Sequence, residues 1–230
     1  MAKRKVEVID DLVPVRHAIM SVSDKSGLED FVPELIKVCP EIMIYSTGGT
    51  YGRLVQILGD AAVKNVAEVS RYIGQPETEG GLVKTLDFKL FLGYLTETYS
   101  EAHQQDLKRT NSVPIDLVVF NLYPFQEKVK EKGIDVEDAR GNIDVGGPSA
   151  LRAAGKNWHR IATVVDPNDY SALLAEIKGN KGRTKLKTRF ELHKKVFRHL
   201  ANYNTAIADY VEGVSAEEAI KPYIIMNKGE

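Results

Sequence analysis

The chain has a single cysteine, Cys39, among its 230 residues. It can form no internal disulfide and assemble no multi-cysteine zinc site, and this usage fits a reducing, cytoplasmic setting. The five histidines, His17, His103, His159, His193 and His199, show neither H-x-x-x-H nor H-E-x-x-H spacing, so no metal site is expected. Charge of one sign is also lacking. Lys plus Arg number 31 and Asp plus Glu 32, for a net charge of -1. That balance excludes a broad nucleic-acid-binding surface and leaves room only for a local cationic pocket. No apolar run approaches the roughly 18 residues a membrane span needs. The basic start, Met1 to Lys5, is followed by no apolar h-region, so no signal peptide is expected. No G-x-x-x-x-G-K-[ST] loop occurs, which excludes a P-loop.

What is present is an ordinary globular balance, 43% hydrophobic and 27% charged, in a length that suits one large domain or two small ones. Such a chain can bury roughly 70% of its unfolded surface without staples. After a polar lead-in over residues 1–15, His17–Val22 reads as a strand that ends in the turn formers Ser23 to Gly27. Leu28, Phe31, Val32, Leu35 and Ile36 then recur at helical spacing, and Pro40 closes that helix. Glu41–Tyr45 reads as a second strand, Tyr51–Leu58 as a helix and Ala61–Val66 as a short third strand. Residues 74–88 read as a long loop and 89–110 as helical. Pro114–Phe120 is the clearest buried strand, followed by a helix at Ala150–Asn157, a strand at Ile161–Val165 and a helix at Pro167–Lys178. This alternation predicts an α/β fold with a mostly parallel sheet flanked by helices. Residues 1–178 would form that domain. Residues 179–230 would add a basic loop and a long C-terminal helix, Arg189–Glu212, packed on the same domain or on a second subunit.

The polar loops that follow strands sit where a parallel sheet builds its ligand crevice. Ser21, Ser23 and Lys25 alternate at one strand end, and Ser46, Thr47, Gly48, Gly49 and Thr50 follow the next. Hydroxyls, free backbone N–H groups and a helix N-terminus can hold a phosphate without a metal. The same residues also serve as plain helix caps. Lys84 and Thr85 lie in the long loop, where a lysine is ordinarily solvated. Asp144 suits a turn ahead of Gly146 and Gly147, Lys156 suits a helix C-terminus, and Tyr123 suits a core position.

Taken in order, six segments carry a resemblance: Ser21/Ser23/Lys25, Ser46–Thr50, Lys84-Thr85, Asn121–Phe125, Ile143–Gly147 and Lys156-Asn157. The chain resembles the IMP cyclohydrolase domain of the bifunctional AICAR formyltransferase/IMP cyclohydrolase family, from about residue 17 to residue 212. Thr188–Leu192 and Tyr203–Ala208 resemble that family's connection toward its formyltransferase half. The resemblance implies a methylglyoxal-synthase-like fold. It also implies dehydrative closure of 5-formamidoimidazole-4-carboxamide ribonucleotide to IMP, with no metal or organic cofactor. By similarity, Ser21, Ser23, Lys25 and Ser46–Thr50 hold the 5′-phosphate end, and Thr85, Asn121, Gly146 and Gly147 surround the base with the catalytic candidates Lys84, Tyr123, Asp144 and Lys156. A homodimer is expected, and a separate formyltransferase if the chain stands alone.

The chain departs from the family pattern Gly-Arg-Val-Lys-Thr-Leu-His-Pro at Leu82, Asp87 and Phe88, and a further family histidine is Phe91 here. Leucine cannot replace an arginine fork to phosphate. Leu82 and Asp87 favour the alternative of a weak or inactive nucleotide-binding regulatory module. A third possibility, phosphate elimination with Asp24 as base, leaves the later motifs unexplained.

Overall fold

The computed structural model describes residues 6–75 and 85–226. In chain order they form β1 (Leu12–Pro14), β2 (His17–Val22), α1 (Leu28–Val38), β3 (Met43–Ser46), α2 (Gly48–Leu58), α3 (Ala62–Asn65), β4 (Val66–Glu68), α4 (Val69–Ile73), α5 (Phe88–Leu95), α6 (Glu101–Arg109), β5 (Leu117–Asn121), α7 (Phe125–Lys128), α8 (Val136–Gly141), α9 (Gly146–Lys156), β6 (Ala162–Val164), α10 (Tyr170–Gly179), β7 (Arg183–Lys185), α11 (Leu186–Glu212) and α12 (Ala216–Ile220). Five strands make one parallel sheet in the order β4-β3-β2-β5-β6. Alternate residues of each central strand feed opposite cores. Ala18, Met20, Leu117 and Val119 join α1 and α10 residues such as Leu28, Phe31 and Leu173 on one face. Ile19, Val118 and Phe120 join Leu90, Ala150, Leu151, Val196 and Leu200 on the other. Burial on both faces explains why β5 reads as a continuous apolar run. Among the described residues, no helix is long and apolar enough to cross a membrane.

Several expected boundaries change. The 61–66 segment is not a strand. Ala62–Asn65 is a single helical turn, and β4 starts only at Val66. The buried Asn65 amide fixes that turn by donating to the carbonyls of Pro40 at 3.1 Å and Ile42 at 2.8 Å. The helical stretch at 89–110 is two helices, broken at Thr96–Ser100, with the Ser100 hydroxyl capping α6. The lead-in and the basic loop each contain a strand, and these two, β1 and β7, pair antiparallel. Buried Arg189, in the first turn of α11, ties them down by donating to the carbonyls of Asp10, Asp11, Thr184 and His159. Helix α11 therefore begins at Leu186, and its 27 residues run about 40 Å. Its buried face is Leu192, Val196, Leu200, Tyr203 and Ala206, packed against α9 and β6. Phe190, Phe197 and Val211, apolar residues of the same helix, are exposed.

Burial of three histidines has a pH consequence. It lowers the pKa of His17, His159 and His199 below the usual imidazole value. The unfolded chain then binds more protons than the folded one at acid pH, so these side chains cost no stability above about pH 6.5 and progressively more below it. We expect the melting temperature to fall by several degrees between pH 7.5 and pH 5.5. Calorimetry at the two pH values checks this, and a rise on acidification would refute it.

Candidate functional site

The sheet order places the topological switch between β2 and β5, because the chain runs outward through β3 and β4 before returning to β5. Open α/β sheets bind ligands beyond the carboxyl ends of the strands at such a point. A cleft of about 550 Å³ lies there. One end is formed by Ser21 near the end of β2, Ser23 and Lys25 just past it, and Thr47, Gly48, Gly49 and Thr50 at the start of α2. The other end is formed by Thr85, Asn121, Tyr123, Asp144, Gly146 and Gly147.

The first end brings a helix N-terminus, hydroxyls and one ammonium together. Helix α2 starts at Gly48, earlier than its apolar pattern suggests, so the glycine loop is its first turn. Gly48 holds φ at +49°, a left-handed value glycine adopts without strain. The Thr47 side chain makes no cap hydrogen bond and instead pairs with the Ser21 hydroxyl at 3.2 Å. The Lys25 ammonium donates to the carbonyls of Val22 at 3.3 Å and Ser23 at 3.4 Å. A methyl group on Gly49 would lie 3.9 Å from that nitrogen, so lysine and helix terminus converge. The Thr50 hydroxyl closes the back wall by accepting the Val22 N–H and donating to the Val22 carbonyl. Ser46 is different. It is fully buried, its hydroxyl donates to the Met20 carbonyl at 2.7 Å, and it does not line the cleft. Its place on the last residue of β3 turns the side chain into the sheet, a structural use of a residue expected to bind phosphate.

At the other end the loops lock together. Asn121 accepts the Asp24 N–H at 2.9 Å and donates to the Asp24 carbonyl at 3.0 Å, which spends its amide on the loop after β2. The Asp24 carboxylate accepts from the Ser26 hydroxyl and N–H, which hold its pKa below the usual range. Asp144 accepts the Gly147 N–H at 3.0 Å, at the N-terminus of α9. The two glycines there are dictated by close approach. A Cβ on Gly146 would meet the Thr85 hydroxyl, and one on Gly147 would meet the Asp144 carboxylate and the Leu122 side chain. Tyr123, expected as a core residue on its spacing, is 57% exposed on the cleft rim.

Lys156 is exposed at the opposite end of the 11-residue α9 and does not line the cleft. Lys84 and Leu82 lie outside the described residues. Asp87 caps α5 by accepting the Lys89 N–H at 2.7 Å, so part of its charge serves the helix. Sequence reasoning missed Tyr203 and His199 of α11. Tyr203 accepts the Asp144 N–H, and His199 accepts the Leu122 N–H. Their i,i+4 spacing on one side of α11, with Tyr203 in the buried stripe and His199 beside it, was the available signal. A second depression, about 920 Å³, shares Ser23 and Asn121 with the cleft. Its Lys194, Lys195 and Arg198 are balanced by Asp24, Glu127 and Asp166, and it carries no glycine-rich helix start.

Comparison with known proteins agrees with this architecture. The family described as MGS-like domain matches residues 27–149. The family described as AICARFT/IMPCHase bienzyme matches residues 154–228. The bifunctional purine biosynthesis protein PurH of Acetivibrio thermocellus is 41% identical over 204 residues, covering 89% of this chain and 38% of that protein. The PurH of Bacillus subtilis is 40% identical over 211 residues, covering 92% of this chain and 40% of that protein. The chain thus spans about two fifths of the curated relatives it matches. The crystal structure of ForH superposes with a TM-score of 0.73 at 29% identity, covering 85% of this chain and 98% of that one.

Proposed function

The chain belongs to the MGS-like domain family, and from that premise we propose that it is an IMP cyclohydrolase, closing 5-formamidoimidazole-4-carboxamide ribonucleotide to IMP with loss of water. The observation that carries the proposal is the two-ended cleft, in which an anion cradle and a polar, carboxylate-bearing end share one cavity of about 550 Å³. That volume suits a small ligand such as a nucleotide.

The 5′-phosphate occupies the Ser21/Lys25/Gly48-Gly49 end, where the α2 terminus and the ammonium both favour negative charge. The base end then receives the formamide and carboxamide groups held face to face, and this proximity supplies much of the acceleration. The carboxamide nitrogen attacks the formyl carbon, and a C–N bond forms as the carbonyl π pair moves to oxygen. Asp144 takes the proton the nitrogen loses. The oxyanion takes up one proton to become a hydroxyl and a second to depart as water, while the formamide nitrogen gives up its proton as the ring C=N bond forms; Tyr123 on the rim is the donor among the described residues. Lys25 is the one cation among the described residues of the cleft and belongs to the phosphate end. The charge that stabilises the developing oxyanion is assigned to Lys84, one of the two lysines, with Lys156, that the family resemblance offers for this role. Substrate is supplied by a formyltransferase acting on the corresponding aminoimidazole carboxamide ribonucleotide, and the protein works as a homodimer in the cytoplasm.

The test is turnover. Purified protein mixed with the formylated ribonucleotide should form IMP, followed by absorbance, faster than a blank without protein. No acceleration would overturn the proposal. Lys25→Ala should raise KM about tenfold with a smaller change in kcat, the signature of lost ground-state binding. Steady-state kinetics check this, and an unchanged KM would remove Lys25 from the phosphate site.

A further inference from the structure

Resting on the cyclohydrolase reading of the cleft, we propose that Tyr203 and His199, one turn apart on α11, are positioning residues that hold Asp144 and Leu122 in place for ring closure. Neither side chain lines the cleft. The Asp144 N–H donates to the Tyr203 hydroxyl at 2.7 Å, and the Leu122 N–H donates to His199 Nε2 at 3.3 Å. Asp144 lies between α8 and α9, and Leu122 lies just past β5. The two N–H groups therefore come from connecting segments, and α11 supplies their acceptors.

The two contacts converge on one point. The Asp144 carboxylate and the Leu122 methyl both press on Gly147, and a Cβ there would sit 2.3 Å from the first and 2.8 Å from the second. A shift of either backbone segment thus moves the carboxylate. The Tyr203 brace is packed in place. Tyr203 is buried, with its ring edge-on to Phe125 at 6.5 Å, and Val196, Leu200 and Ala206 anchor the same helix face. A carboxylate that must meet one amide proton loses rate steeply when displaced by a fraction of an ångström. Binding of the phosphate, at the other end, is indifferent to it.

Tyr203→Phe keeps the ring and removes the acceptor. We expect kcat to fall about tenfold while KM stays within twofold. Amide hydrogen exchange at Asp144 should speed up at least tenfold, with Leu151 and Ala154 in α9 still protected. His199→Leu should lower kcat in the same way, and His199→Gln, which restores an acceptor near the Nε2 position, should recover most of it. Wild-type kcat and unchanged exchange at Asp144 in Tyr203→Phe would overturn the inference. If the wild-type protein forms no IMP, the cyclohydrolase reading fails by itself. Exchange at Asp144 then decides the bracing alone: acceleration in Tyr203→Phe upholds it, and none overturns it.

Discussion

Asp144→Ala is expected to lower kcat for IMP formation by about 10²- to 10⁴-fold, the range for loss of a positioned general base. Asp144 is held at three points. Its Oδ1 accepts the Gly147 N–H at 3.0 Å, its Oδ2 faces the bare Cα of Gly147, and its own N–H is tied to Tyr203. It stands at the positive end of α9, where an anion is favourably placed. That placement also serves the helix, so alanine should cost about 1 kcal/mol of stability as a lost cap. Asp144→Asn separates the two roles. An asparagine oxygen still accepts the Gly147 N–H and keeps the turn, but it cannot take a proton from the carboxamide nitrogen. We therefore expect a near-normal melting temperature with kcat still reduced at least 100-fold. A fully active asparagine variant would leave Asp144 as a cap only.

How much of this was legible differs by element. Strands β2 and β5 and helix α1 follow directly from their apolar patterns, because each is buried against a long stretch of local sequence. The starts of α2 and α9 lie earlier than their apolar patterns indicate, since Gly48-Gly49 and Gly146-Gly147 read as loop, whereas Gly48 answers a positive φ and Gly146 and Gly147 answer a neighbour's side chain. The β1–β7 pair was not legible. Each strand has three residues, β7 is Arg-Thr-Lys, and the partners lie some 170 positions apart, so neither periodicity nor turn chemistry signals them. Among site residues, the hydroxyls and glycines of the two loops converge as their strand-end positions require. Ser46 does not, because a one-residue step along β3 reverses the face a side chain presents. Lys156 does not line the cleft either, because the length of α9 separates it from Gly146. The sequence gives no cue to these spatial facts before the register is known.

Asp116→Ala is expected to destabilise the fold by about 3–5 kcal/mol without changing KM for the nucleotide. Asp116 is 3% exposed just before β5, at the amino edge of the sheet, on the side away from the cleft. Its Oδ2 accepts the N–H groups of Arg16 and His17, each at 2.8 Å, and its Oδ1 pairs with Arg160 Nη2 at 2.6 Å. Arg160 also donates to the Ile115 carbonyl. One carboxylate thus fixes the segments that start β2 and β6 on either side of β5. Alanine would leave a buried guanidinium without its counter-charge and two backbone donors without acceptors, and each of these costs more than the pair is worth as a contact. For a chain this size the loss should lower the melting temperature by about 10 °C or more. The double variant Asp116→Ala/Arg160→Met should recover part of that loss, because the uncompensated charge is removed with its partner. Thermal unfolding of the three variants measures the coupling. If Asp116→Ala costs under 1 kcal/mol, water or a neighbouring group reaches Arg160, and the pair does not hold the strand starts together.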